Sequence, residues 1–173
     1  MEPLDFPNSD PGPRSLLVGA SMDENAKRME WAMARATGYV GFANLMGSRF
    51  LGEAAPLDPV FATFAKRGLM FFDDGSSPRS LAAQTAQRHG VPFAQNNVHI
   101  DDVQTMTAFD ERLAQLEQLA HESGSAIGVG FPYPVTIDRV ATWAQALNAH
   151  GVALVPLTAL TKNASGAQVP ASP

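Results

Sequence analysis

Apolar and polar positions repeat along the chain as one unit. A short β-branched or aromatic run leads into a turn, an amphipathic helical stretch, a glycine, and the next run. Ser21-Met22-Asp23-Glu24 has capping-box spacing, with Ser21 set to accept from the backbone NH of Glu24. It predicts a helix to about Ala36 with Ala26, Met29 and Met33 on its apolar face, then a left-handed stop at Gly38 and the run Tyr39-Val40-Gly41-Phe42. The second cycle reads Asp58-Pro59 as an N-cap with proline at the first helical position. Val60, Phe61, Phe64 and Ala65 share its inner face, Gly68 ends it, and Leu69-Met70-Phe71-Phe72 is a buried strand. Ser77-Pro78 opens a third helix bearing Leu81, Ala82, Thr85 and Ala86 and ending at Gly90, and Val91 to Ile100 holds one or two short extended pieces. Thr107 is placed as the cap of the longest helix, with Phe109, Leu113, Leu116 and Ala120 at 3.6-residue spacing and Gly124 as its stop. After Ala126-Ile127-Gly128-Val129, Thr136 opens the last helix (Val140, Ala144, Leu147), and Gly151 precedes a final run, Val152-Ala153-Leu154-Val155.

Apolar runs separated by helices predict parallel strands in βαβ units, four or five of them, as a doubly wound sheet or part of a (β/α) barrel. An eight-unit barrel takes about 250 residues, more than the 173 here. Pro3, Pro7, Pro11 and Pro13 make residues 1–14 a loop, residues 15–160 form one domain, and 161–173 read as a disordered tail.

Composition removes several functions. The net charge is −5 with no Lys/Arg cluster, which disfavours nucleic acid as a partner. The absence of cysteine excludes disulfides, thiolate metal sites and cysteine nucleophiles. No apolar run has membrane-spanning length. Met1-Glu2-Pro3-Leu4-Asp5-Phe6-Pro7 has neither a basic nor an apolar signal region, so the chain as written stays where it is made.

In parallel α/β folds ligands sit at the carboxyl ends of strands, which selects Ala43 to Ser48, Asp73 to Ser77, Ile100 to Asp102, and Gly130 to Pro134. Asp73-Asp74 leaves an apolar strand. The pair suits a hard cation or acid–base work, or else Asp74 caps the turn and Asp73 is solvated. Asp101-Asp102 reads as capping the next loop and helix. His89, His121 and His150 each end a helix before a glycine and complement its dipole, whereas His99 lies in an extended segment. No histidine pair has metal-ligand spacing, and neither a nucleophile elbow nor a dinucleotide fingerprint is present.

Taken in order, the strand-end segments resemble the divergent polysaccharide deacetylase family. Members often read Asn-Asn-His-Met-Gly-Ser, a strand ending Leu-Asp-Ser, then Gly-Ser-Ala-Ile-Gly leading to Pro-Tyr-Pro-x-Thr, then Leu-Val-Pro. The matching text is Ala43-Asn44-Leu45-Met46-Gly47-Ser48, Phe72-Asp73-Asp74, Gly124 to Gly128 with Pro132 to Thr136, and Leu154-Val155-Pro156. The resemblance implies an incomplete (β/α) barrel whose first strands would precede Met1, so that the chain is a C-terminal part, and whose relatives are metal-dependent carbohydrate deacetylases. There an Asp and two His hold a divalent metal such as zinc. Where many members carry histidine, this chain has Leu45 and Phe131, which have no lone pair to give, so no metal site is expected from this chain. The resemblance leaves Asp73 as the catalytic candidate and Asn44, Arg49, Asp74 and Ser76 as substrate-binding candidates. It implies a carbohydrate or cell-envelope polysaccharide as partner and a periplasmic or envelope location. The expected function is a deacetylase-like protein with a degenerate site, or else a non-catalytic carbohydrate-binding module.

Overall fold

The computed structural model describes residues 1–161; most of the tail read as disordered lies outside them. The described chain forms two compact units, Met1–Ala94 together with Thr161, and Gln95–Leu160. The architecture is mixed α/β with parallel strand pairs.

In the first unit α1 spans Met22–Met33, and Ser21 Oγ accepts from the Glu24 NH at 3.2 Å, as the capping box requires. Ala26 is exposed, and Asn25 is the inward residue instead. Its side-chain amide pairs with both backbone groups of Leu17, at 3.0 and 2.8 Å, so a polar side chain closes the preceding loop. α2 runs Ala54–Arg67, starting one turn before Asp58-Pro59 and holding Pro59 inside it. Leu57, Val60, Phe61 and Phe64 form one buried stripe, and burying Leu57 a turn earlier offsets the backbone bond that Pro59 cannot make.

Asp58 is thereby free to meet α3 (Ala82–His89), where His89 Nε2 lies 2.9 Å and Arg88 3.1 Å from the same carboxylate oxygen. The hydrogen bond with His89, then the charges of His89 and Arg88, hold the Asp58 carboxyl below its ordinary range against an opposing desolvation. A depressed folded-state value means that this stabilisation is complete above the unfolded carboxyl value of about 3.9 and is lost as pH falls through the folded one. Asp58→Asn should therefore melt below the parent at pH 6, and the gap should close on acidification. A gap of equal size throughout that titration would reject the ion-pair account.

Ser77 does not cap α3. It is buried with its hydroxyl toward the Ser48 carbonyl at 3.4 Å, while Ser80 Oγ accepts from the Ala82 NH at 3.2 Å. The sheet has the order β1 (Gly41–Ala43), β2 (Met70–Asp73), β3 (Phe93–Gln95), with β1 and β2 parallel and Phe42 opposite Phe71. Gly41 is required there, because a Cβ at that position would lie 2.3 Å from the Met70 carbonyl oxygen. Phe50, Leu51, Leu57, Phe61 and Phe71 are fully buried at the centre of this core. Residues 1–14 form a loop, and Glu2 ties it down: its NH donates to Leu16 O at 2.9 Å and its carbonyl accepts from Arg49 and Phe50.

In the second unit β4 (Val98–His99) pairs in parallel with β5 (Gly128–Val129). α4 spans Met106–Ser123 and is capped by Thr105, not Thr107, the Thr105 hydroxyl accepting from Ala108. α5 spans Pro134–Ala146 with Pro134 at its first position. Thr136 thus sits inside the first turn rather than at the cap. Ile100, Phe109 and Leu113 make this unit's core, with Val135, Val140 and Trp143 packed against them. The run Val152 to Val155 is not a strand: it has no ladder partner among the described residues, and Leu154 is 65% exposed. No described helix is long and apolar enough to cross a membrane.

Candidate functional site

At the carboxyl ends of β1 and β2 the sequence candidates do meet, through a polar lattice anchored by Asn44. This residue is buried; its Oδ1 accepts from the Asp74 NH at 2.9 Å and its amide donates to Met46 O at 2.9 Å. It thereby holds the end of β2 beside a tight bend in which Met46 and Gly47 adopt φ of 55° and 101°.

Asp73 is 1% exposed. One of its oxygens accepts from the Gly75 NH at 2.9 Å and the other from the Ser80 hydroxyl at 2.6 Å. The solvated alternative for Asp73 therefore does not hold, and both oxygens are engaged in fixing the β2-to-α3 turn. Asp74 takes the capping alternative: its Oδ1 accepts from the Ser76 NH and hydroxyl, at 2.9 and 2.6 Å. Arg49, another of the substrate-binding candidates, pairs with Glu2 at 2.7 Å. Glu2 is buried, and its other carboxylate oxygen accepts from Val18 at 2.6 Å.

A groove of about 500 Å³ opens at the end of β1, with Arg14, Trp31, Phe42, Asn44, Leu45 and Phe64 among its walls. Of the five candidates, Asn44 alone lines it. Arg14 and Arg35 lie over the half-exposed Trp31 ring, 5.6 and 4.9 Å from its centroid.

In the second unit Asp101 is buried but does not cap the next helix. Its Oδ2 accepts from the Phe131 NH at 2.6 Å and the Thr136 hydroxyl at 3.0 Å, fastening the loop after β5 to the first turn of α5. Gly130 permits this approach, since a Cβ there would stand 2.9 Å from Thr136 Cγ2 and 3.4 Å from Asp101 Oδ2. His150 binds Glu117 at 2.7 Å, and the same carboxylate takes the Trp143 indole NH at 2.6 Å. Like His89, His150 thus has a carboxylate partner in addition to its place at a helix end.

Sequence reasoning missed Glu2 and Ser80, and read Thr136 as the opening of a helix rather than as a partner of Asp101. Ser80 was visible only as a small polar residue just ahead of a helix; nothing in the pattern pointed to Glu2.

These residues do not fit the divalent metal of the related deacetylases. Leu45 is exposed and has no donor atom, Asp73 is buried with both oxygens hydrogen-bonded within its own turn, and no group of three His, Asp or Glu side chains among the described residues is placed to hold an ion.

Comparison with known proteins agrees with the motif order. The uncharacterized protein YibQ of Escherichia coli K12 is 27% identical over 117 residues, covering 68% of this chain and 37% of YibQ. An uncharacterized protein of Haemophilus influenzae is 27% identical over 122 residues, covering 70% and 44%. The chain spans less than half the length of these curated relatives. The crystal structure of the uncharacterized protein ATU2773 from Agrobacterium tumefaciens C58 superposes with a TM-score of 0.89 at 36% identity, over 92% of this chain and 65% of that one. The family model described as divergent polysaccharide deacetylase matches residues 1–161, and the chain belongs to that family.

Proposed function

We propose that this chain is a polysaccharide deacetylase-like protein of carbohydrate metabolism that binds a cell-envelope polysaccharide and does not deacetylate it through a metal of its own. The observation that carries this reading is the groove at the end of β1. It joins the half-exposed Trp31, with the Arg14 guanidinium over its ring, to the buried Asn44 amide, beside strand ends where Leu45 offers no donor atom and both Asp73 oxygens are hydrogen-bonded within their own turn. Sugar rings have apolar C–H faces and a polar rim, and such a wall suits both. An incomplete (β/α) barrel of the family's type is part of the same reading.

Titration with N-acetylchitotetraose and with soluble peptidoglycan strands should change tryptophan emission, since Trp31 stands in the groove wall. Acetate release from either substrate should stay at background with or without added zinc. Turnover that appears with zinc and disappears with chelator would overturn the non-catalytic half of the proposal.

A further inference from the structure

We infer that the groove along α1 selects an anionic glycan, with Arg14, Trp31 and Arg35 forming the subsite that takes its carboxylate. The charged side chains in the groove wall, Arg14 and Arg28, are both cationic, and no carboxylate among the described residues lines it. That local sign runs against the molecule, whose net charge is −5. Arg28 is spent within the fold: it pairs with Glu24 at 2.9 Å and donates to the Ser15 carbonyl at 2.6 Å. Arg14 and Arg35 are exposed, and neither has an ion-pair partner among the described residues. Glu24 is held below its ordinary range chiefly by its hydrogen bond with Arg28, and Arg14 acts on it only through its charge.

The two free guanidinium groups are brought to one place by the fold. Trp31 lies in the last turn of α1, Arg35 follows just beyond that helix, and Arg14 reaches the same ring from the preceding loop. Their guanidinium carbons stand 4.9 Å (Arg35) and 5.6 Å (Arg14) from the ring centroid. The indole attracts each cation, yet it holds together two like charges that repel. An anion bound beside them removes that repulsion, whereas a neutral glycan leaves both cations without a counter-charge. A guanidinium presents a planar fork of donors that matches the two oxygens of a carboxylate. The indole, 42% exposed, keeps apolar surface for the C–H face of the sugar that carries it. An anionic membrane suits the site less, because a concave groove of about 500 Å³ admits one chain rather than a flat surface.

This inference rests on the reading that the ligand is a polysaccharide, and it names the class as glycans that bear carboxylates. The test is calorimetric titration of the full chain with soluble peptidoglycan strands, which carry carboxylates, and with the same strands after those groups are converted to amides. The native strands should bind about tenfold more tightly, the scale of one charge-assisted hydrogen bond. Raising sodium chloride from about 0.05 to about 0.5 M should shrink that advantage, because exposed charges are screened. Arg14→Gln and Arg35→Gln should each shrink it as well. Both side chains are exposed and outside any ion pair among the described residues, so both variants should melt with the parent. Equal affinity of the parent for the two preparations would overturn the anionic subsite and leave the proposed function standing, as would a preference that neither arginine variant reduces. Binding to phosphatidylglycerol vesicles without binding to strands would overturn it in favour of a lipid surface. A parent chain that binds neither preparation nor N-acetylchitotetraose would overturn the subsite and the proposed function together.

Discussion

Phe71→Ala should lower the stability of the protein by about 3–5 kcal/mol, the largest single loss expected from any apolar truncation here. Phe71 is fully buried on β2, the middle strand of the three-stranded sheet. Its ring centroid lies 5.0 Å from Phe61, 5.8 Å from Phe64 and 6.5 Å from Phe93, so α2 and β3 both rest on it. The backbone around the gap cannot close in, because Phe71 stands opposite Phe42 in the ladder and its NH donates to Pro92 O at 2.9 Å. The loss therefore contains both the transfer free energy of the ring and the cost of the cavity left behind. Small domains have about 5–15 kcal/mol in total, so the variant should sit near its unfolding threshold. Urea denaturation at constant slope measures the change. Phe71→Leu should lose much less, since it keeps most of the volume. A loss below about 1 kcal/mol for the alanine variant would mean that the aromatic cluster is not packed as described.

The parts of this fold that were legible in the sequence are those that depend on short-range geometry. Gly68, Gly90, Gly124 and Gly151 all adopt left-handed φ and follow helical segments, as their positions implied. Ser21 caps because its partner is three residues away. Helix starts were less legible, because a good capping residue is a local signal that packing can override. Asp58-Pro59 had the chemistry of a start, yet the buried stripe begins at Leu57. Thr136 likewise resembled a cap, but its hydroxyl is drawn to a carboxylate 35 residues away. The strand-end positions of Asn44, Asp73, Asp74 and Ser76 were readable from the βα order, whereas their bonding partners were not. Nothing in the periodicity joins Arg49 to Glu2, 47 residues apart, or Asp101 to Phe131. The final run, Val152 to Val155, shows the opposite error. It has strand composition, but a strand exists only where a neighbour offers its backbone, and none of the described residues does so.

Asp73→Ala should cost about 2–4 kcal/mol, far outside the roughly 0.5 kcal/mol usual for a plain surface carboxylate. From the sequence alone, a solvated turn aspartate was one of two open readings, and it would have made this substitution nearly silent. Burial reverses that expectation, since Asp73 is 1% exposed and each oxygen takes one donor, Gly75 NH at 2.9 Å and Ser80 Oγ at 2.6 Å. Alanine removes the shared acceptor that ties the Gly75 NH to the half-buried Ser80 hydroxyl across the turn. Asp73→Asn should be milder, because its carbonyl oxygen still serves Gly75 while its amide can donate to the Ser80 hydroxyl oxygen. Ser80→Ala removes one bond and frees the Ala82 NH that Ser80 Oγ also accepts from, so a loss of about 1–3 kcal/mol is expected. A double-mutant cycle over Asp73→Ala and Ser80→Ala should then show strong non-additivity, as contacting residues do. Glycan titration of Asp73→Asn separates the remaining roles. Asp73 is buried and bonded through both oxygens within its own turn, so it does not reach a ligand and affinity should match the parent. A folded Asp73→Asn variant with weakened glycan binding would show that the turn opens to release this carboxylate, and would restore Asp73 as the working residue of the site.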